Sequence, residues 1–218
     1  GRAGRRRVAA RSMAATDVGT DGLIRCSWGN RSTEYAAYHD DEWGRPTGDD
    51  RRLFEKLCLE GFQSGLSWIT ILRKRDAFRE VFHGFDIERV ARFDDSDVRV
   101  LLGDARIVRH EGKIRSTINN AQRSLEVMAE IGSLGALVWS FEPAPAPPTE
   151  AATTPESAAL AKDLKHRGFT FVGPTTAYAF MQSMGLVNDH ARACAVREAV
   201  ETDRSKFVRP KRITRHEI

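Results

Sequence analysis

Cys26 and His39, with twelve residues between them, and His190 and Cys194, with three between, form a set of two thiols and two imidazoles. Thiolate and imidazole are donors that zinc prefers, and four of them complete a tetrahedral shell. A shell closed by protein leaves no position for water or substrate. Such a site would be structural, joining the start of the fold to its end across about 150 residues, where a cross-link is most effective in principle. The His190/Cys194 spacing predicts a single helical turn with both side chains on one face. The spacing is not that of a standard finger, and two packed cysteines with two surface histidines would have the same sequence.

A second group of chemistry-bearing residues lies near the first. Three of the four Trp and two of the three Tyr fall between positions 28 and 68: Trp28, Tyr35, Tyr38, Trp43 and Trp68. Aromatic planes can sandwich a base drawn out of the DNA stack, each stacked base contributing roughly 1 to 3 kcal/mol. Core packing is the competing reading of the same rings. Glu60 is set in CLEGFQSGLSW among Leu57, Cys58, Leu59, Phe62 and Leu66, and Gly61 and Gly65 permit close approach of backbone or ligand. A carboxylate in that setting is costly to desolvate unless a base, an arginine or the backbone pairs with it, or unless it serves a ligand.

The elements that must position these groups are helices. Apolar residues recur at three and four spacing in LFEKLCLEGF, SWITILRKRDAFREVF, DIERVARF, DVRVLL and EGKIRSTINNAQRSLEVMAEIG, and no run alternates with period two for long enough to predict a strand. The proline-rich EPAPAPPTEAATTP predicts an extended loop, with helix resuming at Thr154 as N-cap and Pro155 in the first turn. A helix ending at Gly168, a short hairpin ending at Gly173 and a helix opening at Thr175 would then aim several backbone N–H groups in one direction, a geometry that binds phosphate without reading sequence.

At 218 residues and 41% hydrophobic, the chain can bury one core, which predicts one catalytic domain over 23–199. Residues 1–22, with five Arg against two Asp, read as a disordered basic arm, and residues 200–218, with six basic against three acidic groups, as a basic tail. The formal net charge of +4 therefore resides in the ends. Inside the domain the basic residues form local clusters: Arg73 to Arg75, then Arg106 to Arg115, then Lys162 to Arg167. Solvated helix faces and DNA contacts are both open readings of them. Three cysteines argue against a disulfide framework. Nothing approaches the roughly 20 apolar residues of a membrane span, and the first residues carry no signal-like apolar run. The expectation is a soluble, cytoplasmic monomer.

The stretches RCSWG, YHDDEWG, CLEGFQSGLSWITIL, RHEGKI with NNA, WSF, RGFTFVGPTTAYAFMQSMGLVNDH and the closing His190/Cys194 pair closely resemble the bacterial 3-methyladenine DNA glycosylase I family, within the helix-hairpin-helix glycosylase superfamily. The resemblance runs from Arg25 to Cys194 with its motifs in order. It implies an all-α helix-hairpin-helix fold that excises 3-methyladenine from alkylated double-stranded DNA in base excision repair. Cys26, His39, His190 and Cys194 match the family's ligands for one structural Zn2+ per chain. Tyr38 and Trp68 match its stacking pair, and Glu60 the carboxylate that hydrogen-bonds the methylated base and takes the catalytic role. Trp28, Tyr35 and Trp43 match further pocket aromatics, and Gly168 to Gly173 with Thr175 and Thr176 its phosphate-binding hairpin. Two departures from the superfamily stand out: the hairpin is longer than the Leu-Pro-Gly-Val-Gly form, and the usual catalytic Asp is missing, Asp189 adjoining a metal ligand instead. The lyase lysine expected after the hairpin is also absent, which argues against strand cleavage. The rival readings are a zinc-stapled DNA-binding module without activity and a metallohydrolase with one ligand replaced by solvent.

Overall fold

Side-chain caps set where the helices begin. Ser32, Asp49, Asp86, Asp94, His110, Ser133 and Thr154 each accept a hydrogen bond from a backbone N–H of the first turn they precede, satisfying a donor that has no partner inside the helix. The computed structural model describes residues 15–213. Residues 1–14 and 214–218, parts of the expected arm and tail, lie outside the described residues.

Those caps open most of the ten α-helices among the described residues: α1 (Thr33–Asp41), α2 (Asp50–Gln63), α3 (Trp68–Val81), α4 (Ile87–Ala91), α5 (Asp95–Gly103), α6 (Glu111–Ile131), α7 (Leu134–Trp139), α8 (Pro155–His166), α9 (Pro174–Ser183) and α10 (Arg197–Lys206). All five helical patterns named from the sequence are helices, and Thr154 caps α8 with Pro155 in its first turn, as the sequence predicts. Helix α2 is the hub: it packs on α3, α6, α7 and α9, while α8 and α9 pair with each other. Its buried Phe54 and Phe62 join Phe78, Phe82 and Phe85 in one aromatic core, with the Phe62 and Phe78 rings 4.6 Å apart. Each ring in such a core removes 150–250 Å² from water, so α2 is held as a rigid platform from both sides.

The two ends differ from expectation. The arm's last residues are part of the fold: β1 (Thr16–Val18) pairs antiparallel with β2 (Ile24–Cys26), Thr16 opposite Cys26. Strands of three residues are too short for period-two alternation to show in the sequence. The described part of the tail is ordered too. Arg197–Lys206 is helical, Phe207 packs on Trp139 with ring centres 4.6 Å apart, Arg209 pairs with Glu142 at 2.7 Å, and the Ile213 N–H donates to the Ile131 carbonyl. Arg204 and Arg209 thus fasten the tail to the domain through Glu142. Among the described residues no helix is long and apolar enough to cross a membrane.

Candidate active site and metal centre

The four predicted metal ligands come together. Cys26 is the last residue of β2, His39 lies on α1, and His190 and Cys194 follow α9; all four are buried. The segment holding the last two is not the helical turn their spacing predicts. Turns run from the end of α9 to α10, with Cys194 N–H donating to the Ala191 carbonyl, and this loop brings both ligands inward. Zinc ligands at about 2.3 Å for sulfur and about 2.05 Å for nitrogen would lie about 3.4 Å apart for two nitrogens and about 3.6 Å for sulfur and nitrogen. The structure places His190 Nδ1 3.2 Å from His39 Nε2, and Cys194 Sγ 3.5 Å and 3.6 Å from the same two atoms. Cys26 Sγ is 3.9 Å from His190 Nδ1, and the four donor atoms all lie within 4.8 Å of one another. The donor set and its spacing fit one tetrahedral ion.

Surrounding groups orient each ligand. Asp40 Oδ1 lies 2.7 Å from His39 Nδ1, so the Nε2 of that ring faces the cluster, and buried Arg25 grips the Asp40 carboxylate through Nε and a terminal nitrogen. The Trp43 carbonyl, 3.1 Å from His190 Nε2, leaves that ring's Nδ1 facing inward. Ala191 N–H donates to Cys26 Sγ at 3.3 Å. Gly29 lets the His39 ring lie against the chain, since a Cβ there would be 2.8 Å from its Cγ. The Cys194 thiol is held well below its ordinary range, first because Cys26 donates to it and then because both histidines face it, and Cys26 is raised correspondingly.

Tyr38 is the neighbour of His39 on α1 but faces the other way, toward a cavity of about 320 Å³ that it lines with Trp68, Lys56, Leu59, Glu42 and Arg75 among others. Tyr38 and Trp68 meet with ring centres 5.3 Å apart and planes inclined at 44°. A base held between two rings needs about 7 Å, twice a van der Waals thickness of about 3.5 Å, so this pair must open to make a sandwich. Burial drives the Tyr38 phenol well above its usual range, and Glu60 adds to the effect. Glu60 is buried one turn after Lys56 on α2 and pairs with it at 2.8 Å. Tyr35 lies outside the cavity wall and acts on it indirectly: its hydroxyl accepts from Ile69 N–H at 3.1 Å, in the first turn of α3 beside Trp68. Trp28 and Trp43 lie nearer the metal cluster, 5.0 Å from His39 and 4.6 Å from His190 between ring centres. Among the described residues, the buried indole N–H groups of Trp28 and Trp68 have no hydrogen-bond partner.

Between α8 and α9 the chain makes a turn without strand pairing, and α9 opens at Pro174, one residue before the expected Thr175. Gly168, at φ 85°, ends α8 in the left-handed region that glycine adopts without strain. Phe169 and Val172 are buried, and Asn120 of α6 grips the turn by accepting from Thr170 N–H and donating to the Thr170 carbonyl. Asn119 donates to the Gly168 carbonyl at 2.8 Å. Thr175 is exposed and Thr176 half-buried at the start of α9.

Residues 28–198 match the methyladenine glycosylase family. The chain belongs to that family. It is 48% identical over 179 residues to DNA-3-methyladenine glycosylase 1 of Escherichia coli (strain K12), an alignment covering 79% of this chain and 96% of that one. To the DNA-3-methyladenine glycosylase of Haemophilus influenzae it is 42% identical, covering 78% and 96%. A solved 3-methyladenine DNA glycosylase I superposes with a TM-score of 0.75 at 48% identity over 78% of this chain and 98% of its own. The 3-methyladenine DNA glycosylase I of Staphylococcus aureus, in a structure described as the basis of 3-methyladenine recognition, does so at 0.76 and 34% identity over 79% and 96%.

In this methyladenine glycosylase the basic clusters are largely occupied internally. Arg73 pairs with Glu34, Arg75 with Glu42, Arg106 with Glu80 and Asp104, Arg115 with Asp95 and Glu111, and Arg167 with Glu130 and Asp163. Arg109, Lys162 and Lys165 remain exposed. Asp189 accepts from the Tyr178 hydroxyl at 2.5 Å and from Gln182 at 2.9 Å, the bonding of a structural carboxylate. Lys56 is the pocket residue that sequence reasoning missed. Its signal was available, because a lysine four residues before Glu60 on one helix is placed to pair with it.

Proposed function

We propose that this glycosylase flips 3-methyladenine out of alkylated double-stranded DNA and hydrolyses its N-glycosyl bond without cleaving the strand. Membership of the methyladenine glycosylase family and the names of its relatives support the activity. The observation that carries the site assignment is the meeting of Tyr38 and Trp68 at one cavity, with a buried carboxylate, Glu60, on the helix beneath.

Methylation at N3 makes the base cationic, which weakens its bond to the sugar. Tyr38 and Trp68 stack on the electron-poor ring, attracted through their π faces. Glu60 accepts hydrogen bonds from the base and complements its charge. Water oxygen bonds to C1′ as the C1′–N bond breaks; the bonding pair stays with the base, which leaves neutral, and the water's proton passes to solvent. Unmodified adenine has neither the charge nor the weakened bond, so part of the selectivity is chemical. Trp28, Tyr35 and Trp43 support the stacking pair from behind.

Cys26, His39, His190 and Cys194 would hold one Zn2+, which when bound supplies a structural cross-link. Four protein donors leave it no open position, which weighs against the metallohydrolase reading. Helices α8 and α9 with the turn from Gly168 to Gly173 form the helix-hairpin-helix unit, whose exposed N–H groups near Thr175 and Thr176 hold the DNA backbone. The enzyme acts as a monomer in the cytoplasm, associated with the nucleoid when on DNA, and residues 23–199 are its catalytic unit. The test is incubation of the purified protein with methylated duplex DNA and chromatography of what is released. Free 3-methyladenine without strand scission is the expected result; DNA binding with no released base would leave the inactive DNA-binding module instead.

A further inference from the structure

Lys56 occupies the place that a stacked base needs. Its Nζ lies 3.4 Å from the centre of the Trp68 ring, which is a stacking distance, and 5.1 Å from that of Tyr38. It donates to the Tyr38 hydroxyl at 2.8 Å and pairs with Glu60 at 2.8 Å. All three groups assigned above to base recognition are therefore engaged by one ammonium. It is buried, with 7% of its side chain exposed against 5% for Glu60. A ring cannot lie on this face of Trp68 while Nζ is there, so base and ammonium exclude each other.

We propose that Lys56 is a specificity-determining residue: its ammonium holds the seat on Trp68 and the charge of Glu60 until a cationic flipped base displaces it, and it returns once cleavage leaves that base neutral. This rests on the base-pocket reading above. A ligand that displaces Lys56 takes over its partner. A cationic base compensates Glu60 in its turn; a neutral one leaves a buried carboxylate without its counter-charge, a costly state. The lysine thus turns the charge of the lesion into a condition for entry. The same difference works on the product, because the base becomes neutral at cleavage and the ammonium is then the better partner for Glu60. A flexible four-carbon stem suits the exchange, while Glu42 and Glu55, which line the same cavity, are already paired with Arg75 and Arg79. Burial opposes the charge on Lys56 and Glu60 sustains it, so separation from Glu60 inside the pocket is disfavoured and withdrawal must go toward water.

The experiment is titration of the wild-type protein, Lys56→Met and Trp68→Ala with free 3-methyladenine at mildly alkaline pH, where the base is neutral, followed by tryptophan fluorescence and calorimetry. Methionine keeps the length of the chain, removes its charge and suits a buried site. The expected result is binding about tenfold tighter in Lys56→Met, a difference of about 1.4 kcal/mol, with product inhibition of excision strengthened in step. Unchanged or weaker binding in Lys56→Met, with binding lost in Trp68→Ala, would overturn the proposal and leave the pocket in place. Indifference to both substitutions would instead remove the pocket reading. If Lys56→Met does not fold, the Lys56 ammonium resonance of isotopically labelled wild-type protein is the readout. Saturating 3-methyladenine should move it to the position of a solvated lysine, and a resonance that stays put while the base binds would overturn the exchange.

Discussion

Tyr38 and His39 are adjacent on α1, yet they face two sites in opposite states of completion. Around His39 the side chains complete one another: two imidazoles turned by Asp40 and the Trp43 carbonyl, two thiols at ligand spacing, and Arg25 holding the aspartate. Around Tyr38 the groups are provisional: rings too close to admit a base, an indole N–H without a partner among the described residues, and a lysine in contact with Tyr38, Trp68 and Glu60. Low-dielectric surroundings make both sites sensitive, since buried polar groups that are fully satisfied rigidify a fold while incompletely satisfied ones are poised to take a ligand. The two differ in what their own residues leave undone. The first should answer to changes in stability, the second to changes in binding and rate.

The largest effect should come from breaking the complete site. Cys194→Ala is expected to lower the free energy of unfolding by on the order of 4 kcal/mol, read from the urea midpoint, while excision per folded molecule stays near that of the unaltered protein. Activity lost with the midpoint unmoved would place the metal in the chemistry and reverse the comparison. Glu60→Gln comes next, on the other side. The amide oxygen still accepts from Lys56 but no longer balances its buried charge, so some stability is lost as well; per folded molecule, the loss of a charge aimed at the base should slow single-turnover excision about a hundredfold. An unchanged rate would make Glu60 only the partner of Lys56.

The complete site was easier to read in the sequence, for a physical reason. Cysteine and histidine announce a metal by type, so Cys26, His39, His190 and Cys194 could be found although the loop carrying the last two could not. A four-residue spacing fits a helix as well as the turn closed by Cys194 N–H on the Ala191 carbonyl. The long helices α2, α3 and α6 were legible because apolar residues recur along each at three and four spacing. Helix α10 was not, since REAVETDRSK buries only Val200 and Arg204 and so shows no stripe. Tyr38, Trp68 and Glu60 were legible as types, whereas Lys56 reads as one more surface cation until its burial is seen. What the pocket does with that charge depends on distances that a periodic pattern does not encode.

A smaller effect would sharpen the boundary between the sites. Asp40→Asn keeps a hydrogen-bond acceptor beside His39 but removes the charge that links it to Arg25. Outer partners of metal-bound histidine set ring orientation and basicity, so zinc affinity measured against a competing chelator should fall about 10- to 100-fold. Affinity for 3-methyladenine should not follow. A parallel loss of both would mean that α1 transmits strain between its two faces, and the sites would then be one unit.

Tyr35→Phe should have the smallest effect, and it probes that transmission most directly. The Tyr35 ring meets Trp28 edge to face at 5.8 Å, and Trp28 in turn packs on His39, so the aromatic path to the metal survives the substitution. What goes is the hydroxyl that accepts from Ile69 N–H, in the first turn of α3, where no carbonyl of the helix can replace it. The net loss should be about 1 kcal/mol. If it is confined to the turn carrying Trp68, base affinity falls about fivefold with chelator competition unchanged, because 1.4 kcal/mol corresponds to about tenfold. If zinc retention falls instead, Tyr35 acts through Trp28 rather than through α3. The cluster of rings would then be a wall of the metal site that the pocket borrows.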